Sequence, residues 1–206
     1  MARSKSSSQW MKEHLNDYYV GLAQKEGYRS RAVYKLIELD KKEHLFKSGA
    51  NVIELGAAPG SWTQYVAEKV GANGKIIATD LLPMDTFANV QFIQGDFSSD
   101  AVYESITATL GKNKANLVIS DMAPNITGND SVDQPKAMYL VELAFELATE
   151  VLNAQGVFLA KVFQGEGFDN YVKILRKTFT SVKICKPKAS RPRSREVYVV
   201  ARNPKL

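Results

Sequence analysis

A single cysteine, Cys185, stands in 206 residues, which excludes an internal disulfide framework and suits a reducing compartment. No apolar run approaches the ~20 residues that a membrane helix needs. The opening MARSKSSSQW has charge and serine but no apolar stretch to serve as a secretory signal. A cytoplasmic protein with no membrane association is expected. Histidine is scarce: neither His14 nor His44 has a partner at metal-ligand spacing, and no metal site is expected. Two glycine signatures are also missing. No G-x-G-x-x-G marks a dinucleotide fold, and no Lys-Ser/Thr follows a glycine loop to cradle phosphates. Repeats and heptad arrays are absent, and the length fits one domain with a proper core.

Acids are missing from one place. Lys183–Arg195 holds six basic residues (Lys183, Lys186, Lys188, Arg191, Arg193 and Arg195) and no Asp or Glu. Without it 21 basic residues remain against 22 acidic, and the net charge falls from +5 to −1. The positive charge is therefore local, as in a patch that meets a polyanion; a solvated run without function is the alternative reading.

What is present is an alternation of strand and helix. Residues 1–9 are small, polar and basic and are expected to be disordered. Residues 10–48 form a helical extension: apolar spacing predicts a helix over Trp10–Leu22, and Ser30 is placed to cap a second over Arg31–His44. Lys35 lies off the centre of that helix's apolar stripe, amid Tyr28, Arg29, Arg31 and Tyr34, and reads as one more exposed lysine. From residue 49 onward, strands are predicted at Asn51–Leu55, Lys75–Asp80, Val90–Gln94, Asn116–Ser120, Gly156–Phe163, Val182–Cys185 and Glu196–Ala201. Helices are predicted at Ser61–Val70, Ala101–Leu110, Gln134–Leu152 and Phe168–Phe179, with Gly128–Asp133 as a polar, flexible loop. Strands separated by helices imply right-handed crossovers and a mostly parallel sheet covered on both faces. The last two strands have no helix between them and are expected to pair antiparallel at one edge.

Asn51–Trp62, NVIELGAAPGSW, is the stretch on which a site would be built. It reads as a strand carrying Glu54, a turn with Gly56 and Gly60, and a helix start. In open α/β sheets ligands sit outside the carboxyl ends of the strands, where glycines allow close backbone approach. A strand, an acid and a glycine loop without dinucleotide spacing suit a nucleoside with a small charged tail, such as S-adenosylmethionine; a tight turn without a ligand is the other reading. Four strands end at or beside acids, Glu54, Asp80, Asp96 and Asp121. Asp80, about 20 residues beyond the glycine loop, is placed to accept from ribose hydroxyls, and Asp96 to meet an adenine amino group. Lys161 is the most unusual residue, since it interrupts an apolar strand on the face of Leu159 and Phe163. Desolvation disfavours an ammonium, which is how a lysine becomes a general base; a snorkelling edge lysine is the alternative.

Through YRSRAVYKL, LGAAPGSW, DLLPMD, QGDF, SDMAPN, KVFQGEGF and SREVY, the chain resembles the FtsJ/RrmJ (RlmE) family of S-adenosylmethionine-dependent ribosomal RNA ribose 2′-O-methyltransferases, from about Trp10 to the C-terminus. The resemblance implies a Rossmann-like methyltransferase fold with a seven-stranded, mostly parallel sheet, helices on both faces and an antiparallel edge strand. It implies a catalytic set of Lys35, Asp121, Lys161 and Glu196, and cofactor contacts at Gly60, Trp62, Asp80, Asp96 and Asp121. Two positions depart from the family pattern: Glu54 where aspartate is common, and Ser61 where a second glycine is common. The implied reaction is methylation of a uridine ribose in large-subunit ribosomal RNA, on the assembled or assembling subunit, by a monomer. The RNA would be held through Arg29, Arg31, Lys186, Lys188, Arg191, Arg193 and Arg195. Transfer RNA or cap ribose as substrate, and a non-catalytic assembly factor, are the alternatives.

Overall fold

The computed structural model describes residues 17–205. The tail expected over 1–9 and the first part of the helix expected from Trp10 lie outside the described residues. The first described helix, α1 (Tyr18–Glu26), starts where the Asp17 carboxylate accepts from the Tyr19 N–H (3.0 Å). It ends at Gly27, whose left-handed backbone lets its N–H reach the carbonyls of Ala23 and Gln24. Ser30 does not cap the next helix as expected. Helix α2 (Val33–Glu43) starts after Ala32, two residues later than expected, with no side-chain cap; the Ser30 hydroxyl accepts from the Ala32 N–H (3.3 Å) and meets that of Ser61 (2.8 Å).

The remaining elements are β1 (Asn51–Leu55), α3 (Ser61–Val70), β2 (Lys75–Asp80), β3 (Val90–Gln94), α4 (Asp100–Leu110), β4 (Ala115–Ser120), α5 (Asp130–Val151), β5 (Leu152–Phe163), α6 (Phe168–Thr178), β6 (Phe179–Cys185) and β7 (Glu196–Pro204). They form one seven-stranded sheet in the order β3-β2-β1-β4-β5-β7-β6. Strands β1 to β5 are parallel, and β7 runs antiparallel to both β5 and β6. The final two strands thus pair as expected, with β7 inserted between β5 and β6. The strand of opposite direction lies one place in from the edge.

The central strands are nearly continuous apolar runs because both faces are covered. On one face α4, α5 and α6 pack over Ile53, Leu55, Ile77, Val118 and Phe158. On the other, α1, α2 and α3 pack over Val52, Ile76, Leu117, Ile119 and Leu159. Helix α6 shows how the sequence dictates this, burying Phe168, Tyr171, Val172 and Leu175 at i, i+3, i+4 and i+7.

Two expectations are corrected in the second half. Gly128–Asp133 is not a flexible loop. Asn129 caps α5, which begins at Asp130, and the buried Asp133 carboxylate accepts from the N–H and hydroxyl of Thr127 and the N–H of Gly128 (2.9–3.1 Å). Strand β5 begins at Leu152 rather than Gly156, since Leu152 pairs with Ala115 before the register shifts and Val157 meets Leu117.

Neighbours β2 and β4 on opposite sides of β1 make the loops after β1 and β4 part at the carboxyl edge. The loops stay close at their roots: the Asp121 N–H donates to the Leu55 carbonyl (3.2 Å), and a Cβ on Gly56 would lie 2.8 Å from the Met122 side chain. Gly56 also has φ +78°, so glycine is required there on two grounds.

Candidate active site

Three of the four strand-end acids reach one cavity of about 200 Å³ at this switch point, walled by Gly56, Ala58, Asp80, Asp96, Asp121 and Met122 among others. The Asp80 oxygens accept from the N–H groups of Leu82 and Ala58 (2.9 Å each), which fixes the carboxylate and leaves acceptor capacity on both. Asp96 is exposed, and one of its oxygens accepts from the hydroxyl and N–H of Ser98. Those bonds hold its carboxyl below the usual carboxylate range. The fourth acid, Glu54, is sealed beneath the cavity at 1% exposure. Burial, opposed by hydrogen bonds from Thr63 and reinforced by the charges of Asp121 and Asp80, pushes its carboxyl up to about 8.

Gly60 and Trp62 are not among the residues lining this cavity. Gly60 starts α3 with φ +97°, and a Cβ there would collide with the Arg29 guanidinium and the Met84 sulfur. Trp62 is buried against the Tyr198 ring, and its indole N–H donates to the Ala32 carbonyl (2.8 Å). These contacts belong to a clamp. Arg29 donates to the Pro59 carbonyl (3.1 Å), Ser30 meets Ser61, and Ala32 accepts from Trp62. The departure at Ser61 therefore supplies a hydroxyl that fastens the glycine loop to the segment before α2.

The four residues of the implied catalytic set come together beside the cavity. Strand register explains how. Ala160 pairs with Ser120, so Lys161 and Asp121 leave adjacent strands at the same level; across β7, Lys161 pairs with Tyr198 and Phe163 with Glu196. The Lys161 amine lies 3.1 Å from an Asp121 carboxylate oxygen and donates to the Asp121 carbonyl (2.6 Å). Tyr198 donates its hydroxyl to the same carboxylate (2.7 Å). Lys35 pairs with Glu196 (2.9 Å) and stands 5.8 Å from the Tyr198 ring centre, so it is no ordinary exposed helix lysine. Burial alone would push the Asp121 carboxyl up. The charges of Lys161 and Lys35 and the hydrogen bonds from Tyr198 and Lys161 outweigh it and hold Asp121 below the usual range. Asp121 is therefore held as an anion beside the Lys161 and Lys35 amines. Burial, followed by the Asp121 and Glu196 charges, keeps the Tyr198 phenol well above its ordinary value, so it stays a donor.

Beyond Lys35 and Glu196 opens a wider cavity of about 470 Å³, lined also by Arg31, Arg191, Arg193 and Ser194. Glu38 of α2 shapes it by accepting from the N–H groups of Lys188 and Ala189 (2.6 and 2.9 Å), which pins the basic loop between β6 and β7. Arg31 adds to this pin, donating to Asp17 and to the Ala189 carbonyl. Lys186 donates to the Ser194 carbonyl (2.5 Å) and Arg195 pairs with Asp130 (2.6 Å). Arg29 is engaged elsewhere, on the carbonyls of Pro59 and Asp85 and over the Phe87 ring.

Sequence reasoning missed Tyr198 and Glu38. Tyr198 sits in an apolar strand where tyrosine reads as core, and only its pairing with Lys161 across β7 marks it. Glu38 carries no local signal, since its backbone partners in the basic loop lie about 150 residues away.

A mostly parallel sheet in this order, with a glycine loop and strand-end acids around a nucleoside-sized cavity at its switch point, defines a Rossmann-like methyltransferase. Comparison with known proteins narrows the class. The FtsJ-like methyltransferase family model matches residues 28–204. A protein of Hydrogenovibrio crunogenus named ribosomal RNA large subunit methyltransferase E is 55% identical over 205 residues, covering all of both chains. Its namesake in Cellvibrio japonicus is 55% identical over 98% of this chain and 96% of its own. A crystal structure from Plasmodium falciparum, described as a ribosomal RNA methyltransferase, is 32% identical with a TM-score of 0.77, over 86% of this chain and 98% of that one. The fibrillarin/Nop5p complex, at 20% identity over 85% of this chain and 84% of that one, shares the fold with a TM-score of 0.60. The chain belongs to the FtsJ-like methyltransferase family.

Proposed function

We propose that this protein transfers a methyl group from S-adenosylmethionine to the 2′-hydroxyl of a uridine ribose in large-subunit ribosomal RNA, on the assembled or assembling subunit. The observation that carries the reading is the Lys161 amine held by Asp121, which lines the nucleoside-sized cavity, with the Lys35–Glu196 pair lining the basic cleft. The cavity suits the cofactor: Asp80 and Asp96 offer acceptors for ribose hydroxyls and an amino group, and Phe97, Met122 and Leu140 offer apolar walls. Bound S-adenosylmethionine supplies a methyl group activated by a sulfonium.

The chain's own residues supply the rest. A ribose hydroxyl is a poor nucleophile near neutral pH, so its proton must be taken as its oxygen gains the methyl group. A neutral lysine amine has two N–H donors and one lone pair. The base is the neutral form of Lys161, reached once the ammonium that pairs with Asp121 has released a proton; with both remaining donors directed at the Asp121 carboxylate and carbonyl, its lone pair is left to accept the ribose proton. Asp121 orients the base, and Tyr198 orients Asp121. Lys35 and Glu196 fix the ribose at the edge of the cleft, where positioning contributes several kcal/mol. RNA phosphates lie along Arg31, Lys186, Lys188, Arg191, Arg193 and Arg195, and Arg29 braces the glycine loop. Residues 10–206 act as a single catalytic domain, in which Arg29, Ser30, Ala32 and Glu38 couple the cofactor loop to the RNA side. The reading places this work in the cytoplasm.

The test is methyl transfer from labelled cofactor to large subunits from cells lacking the protein, beside free ribosomal RNA and transfer RNA. Label in the large subunit alone is expected. Label in transfer RNA instead would overturn the substrate.

A further inference from the structure

Ile126 is 62% exposed, yet it stands beside a segment that is firmly held. Thr127 and Gly128 donate four hydrogen bonds to the buried Asp133 carboxylate in the first turns of α5. The next residue, Gln134, also buried, reaches the other way, donating its amide N–H groups to the carbonyls of Phe163 (3.2 Å) and Glu166 (2.9 Å) at the end of β5. Two consecutive residues of one helix therefore hold two facing walls, the loop after β4 and the end of β5. Gly165 permits this approach, since a Cβ there would lie 2.8–3.0 Å from the Gln134 amide.

Between these walls lies a cavity of about 190 Å³ lined by Ile126, Gly128, Ala137, Phe163, Arg193 and Arg195, together with Asp130, Asp133 and Gln134. It adjoins the reaction centre: the Phe163 ring centre is 6.0 Å from the Lys161 amine, and Phe163 pairs with Glu196 across β7. The larger cleft around Lys35 shares Arg193 with it, but has four cations, Arg31, Lys35, Arg191 and Arg193, and no aromatic ring among the described residues of its lining, and suits phosphates. Here an aliphatic side chain and an aromatic ring face a polar edge, which is what a flat heterocycle with polar rims requires.

We propose that the cavity between Ile126 and Phe163 receives the nucleobase of the nucleotide whose ribose is methylated, with Asp133 and Gln134 as positioning residues that hold its walls. The proposal rests on the ribose-methylation reading. The base leaves its stack, lies against Ile126 and Phe163, and brings the 2′-hydroxyl to Lys161. The pocket thus contributes to the choice of nucleotide, and the basic cleft contributes affinity without choice.

The experiment uses large subunits carrying each of the four nucleotides at the mapped position, with the full-length protein and Ile126→Ala. Ile126 is exposed and outside the core, so folding is spared, and Ile126→Leu is the conservative control. Ile126→Ala is expected to lower kcat/KM on the natural subunit about tenfold, the usual scale for an apolar contact in a specificity pocket. It should also flatten the preference among the four nucleotides while leaving cofactor affinity unchanged, and Ile126→Leu should restore both. An unchanged kcat/KM would overturn the proposal. So would a loss shared equally by all four nucleotides, which would place Ile126 against the particle rather than the base. The ribose-methylation reading fails or stands on the unaltered protein, the pocket on the variant.

Discussion

Lys161 is the residue on which the proposed chemistry converges, and its two bonds to Asp121 explain why a lysine is tolerated in an apolar strand. Replacing it with alanine is expected to abolish turnover while cofactor affinity stays within about twofold, as read by single-turnover transfer and equilibrium binding. Near-normal turnover would remove it from the mechanism. Glu54 gives a second expectation at this scale. Its folded value, pushed up to about 8, lies above its unfolded value near 4.5, so the native state holds a proton that the unfolded chain has released. Stability is therefore withdrawn as pH rises from about 5 to about 8, by at most about 1.4 kcal/mol per pH unit. Glu54→Gln should remove this loss, so that its Tm overtakes that of the unaltered protein as pH climbs through that window without cofactor. Parallel Tm curves would contradict the burial argument.

Among the elements, α2 joins the glycine loop to the basic loop between β6 and β7. The segment before it clamps Pro59, Ser61 and Trp62, while Glu38 within it holds Lys188 and Ala189. Glu38→Ala removes the acceptor of two backbone donors of the basic loop and leaves the buried Ala189 N–H unpaired. It should raise KM for the ribosomal substrate severalfold with little change in cofactor affinity, and cost about 1–3 kcal/mol in chemical denaturation. An unchanged KM would mean that the loop needs no brace. The elements themselves were largely legible, because buried parallel strands and amphipathic helices leave strong periodic traces, as in β1 and α6. The misread parts were local competitions settled by distant partners. Ser30 had the signature of a cap but shares its hydroxyl between the Ala32 N–H and Ser61, ahead of a helix that starts only at Val33, and Gly128–Asp133 had loop composition but is ordered by the buried Asp133. The strand-end acids could be found because topology brings carboxyl ends to one edge. Lys35 and Glu196 could not be singled out from pattern alone, since a lysine and a glutamate at an element's edge look alike whether solvated or paired.

For the molecule as a whole, charge is divided by function: strand-end acids surround the nucleoside cavity, and the basic loop lines the neighbouring cleft. RNA binding should therefore weaken steeply with salt. Reversing the charge at Arg191, Arg193 and Arg195 should reduce the slope of log affinity against log salt by about one for each phosphate that is no longer neutralised. A salt-independent affinity would count against the cleft as the RNA surface. The central claim is a methyl group on a ribose oxygen, and one chemical property reports it directly. A ribose whose 2′-oxygen is methylated cannot assist alkaline cleavage of its own phosphodiester. The decisive measurement is alkaline digestion of large-subunit RNA labelled by this protein from methyl-labelled S-adenosylmethionine. Label in an alkali-resistant dinucleotide with uridine at its 5′ position is the expected result. Label in a mononucleotide would place the methyl group on a base and contradict the proposed reaction.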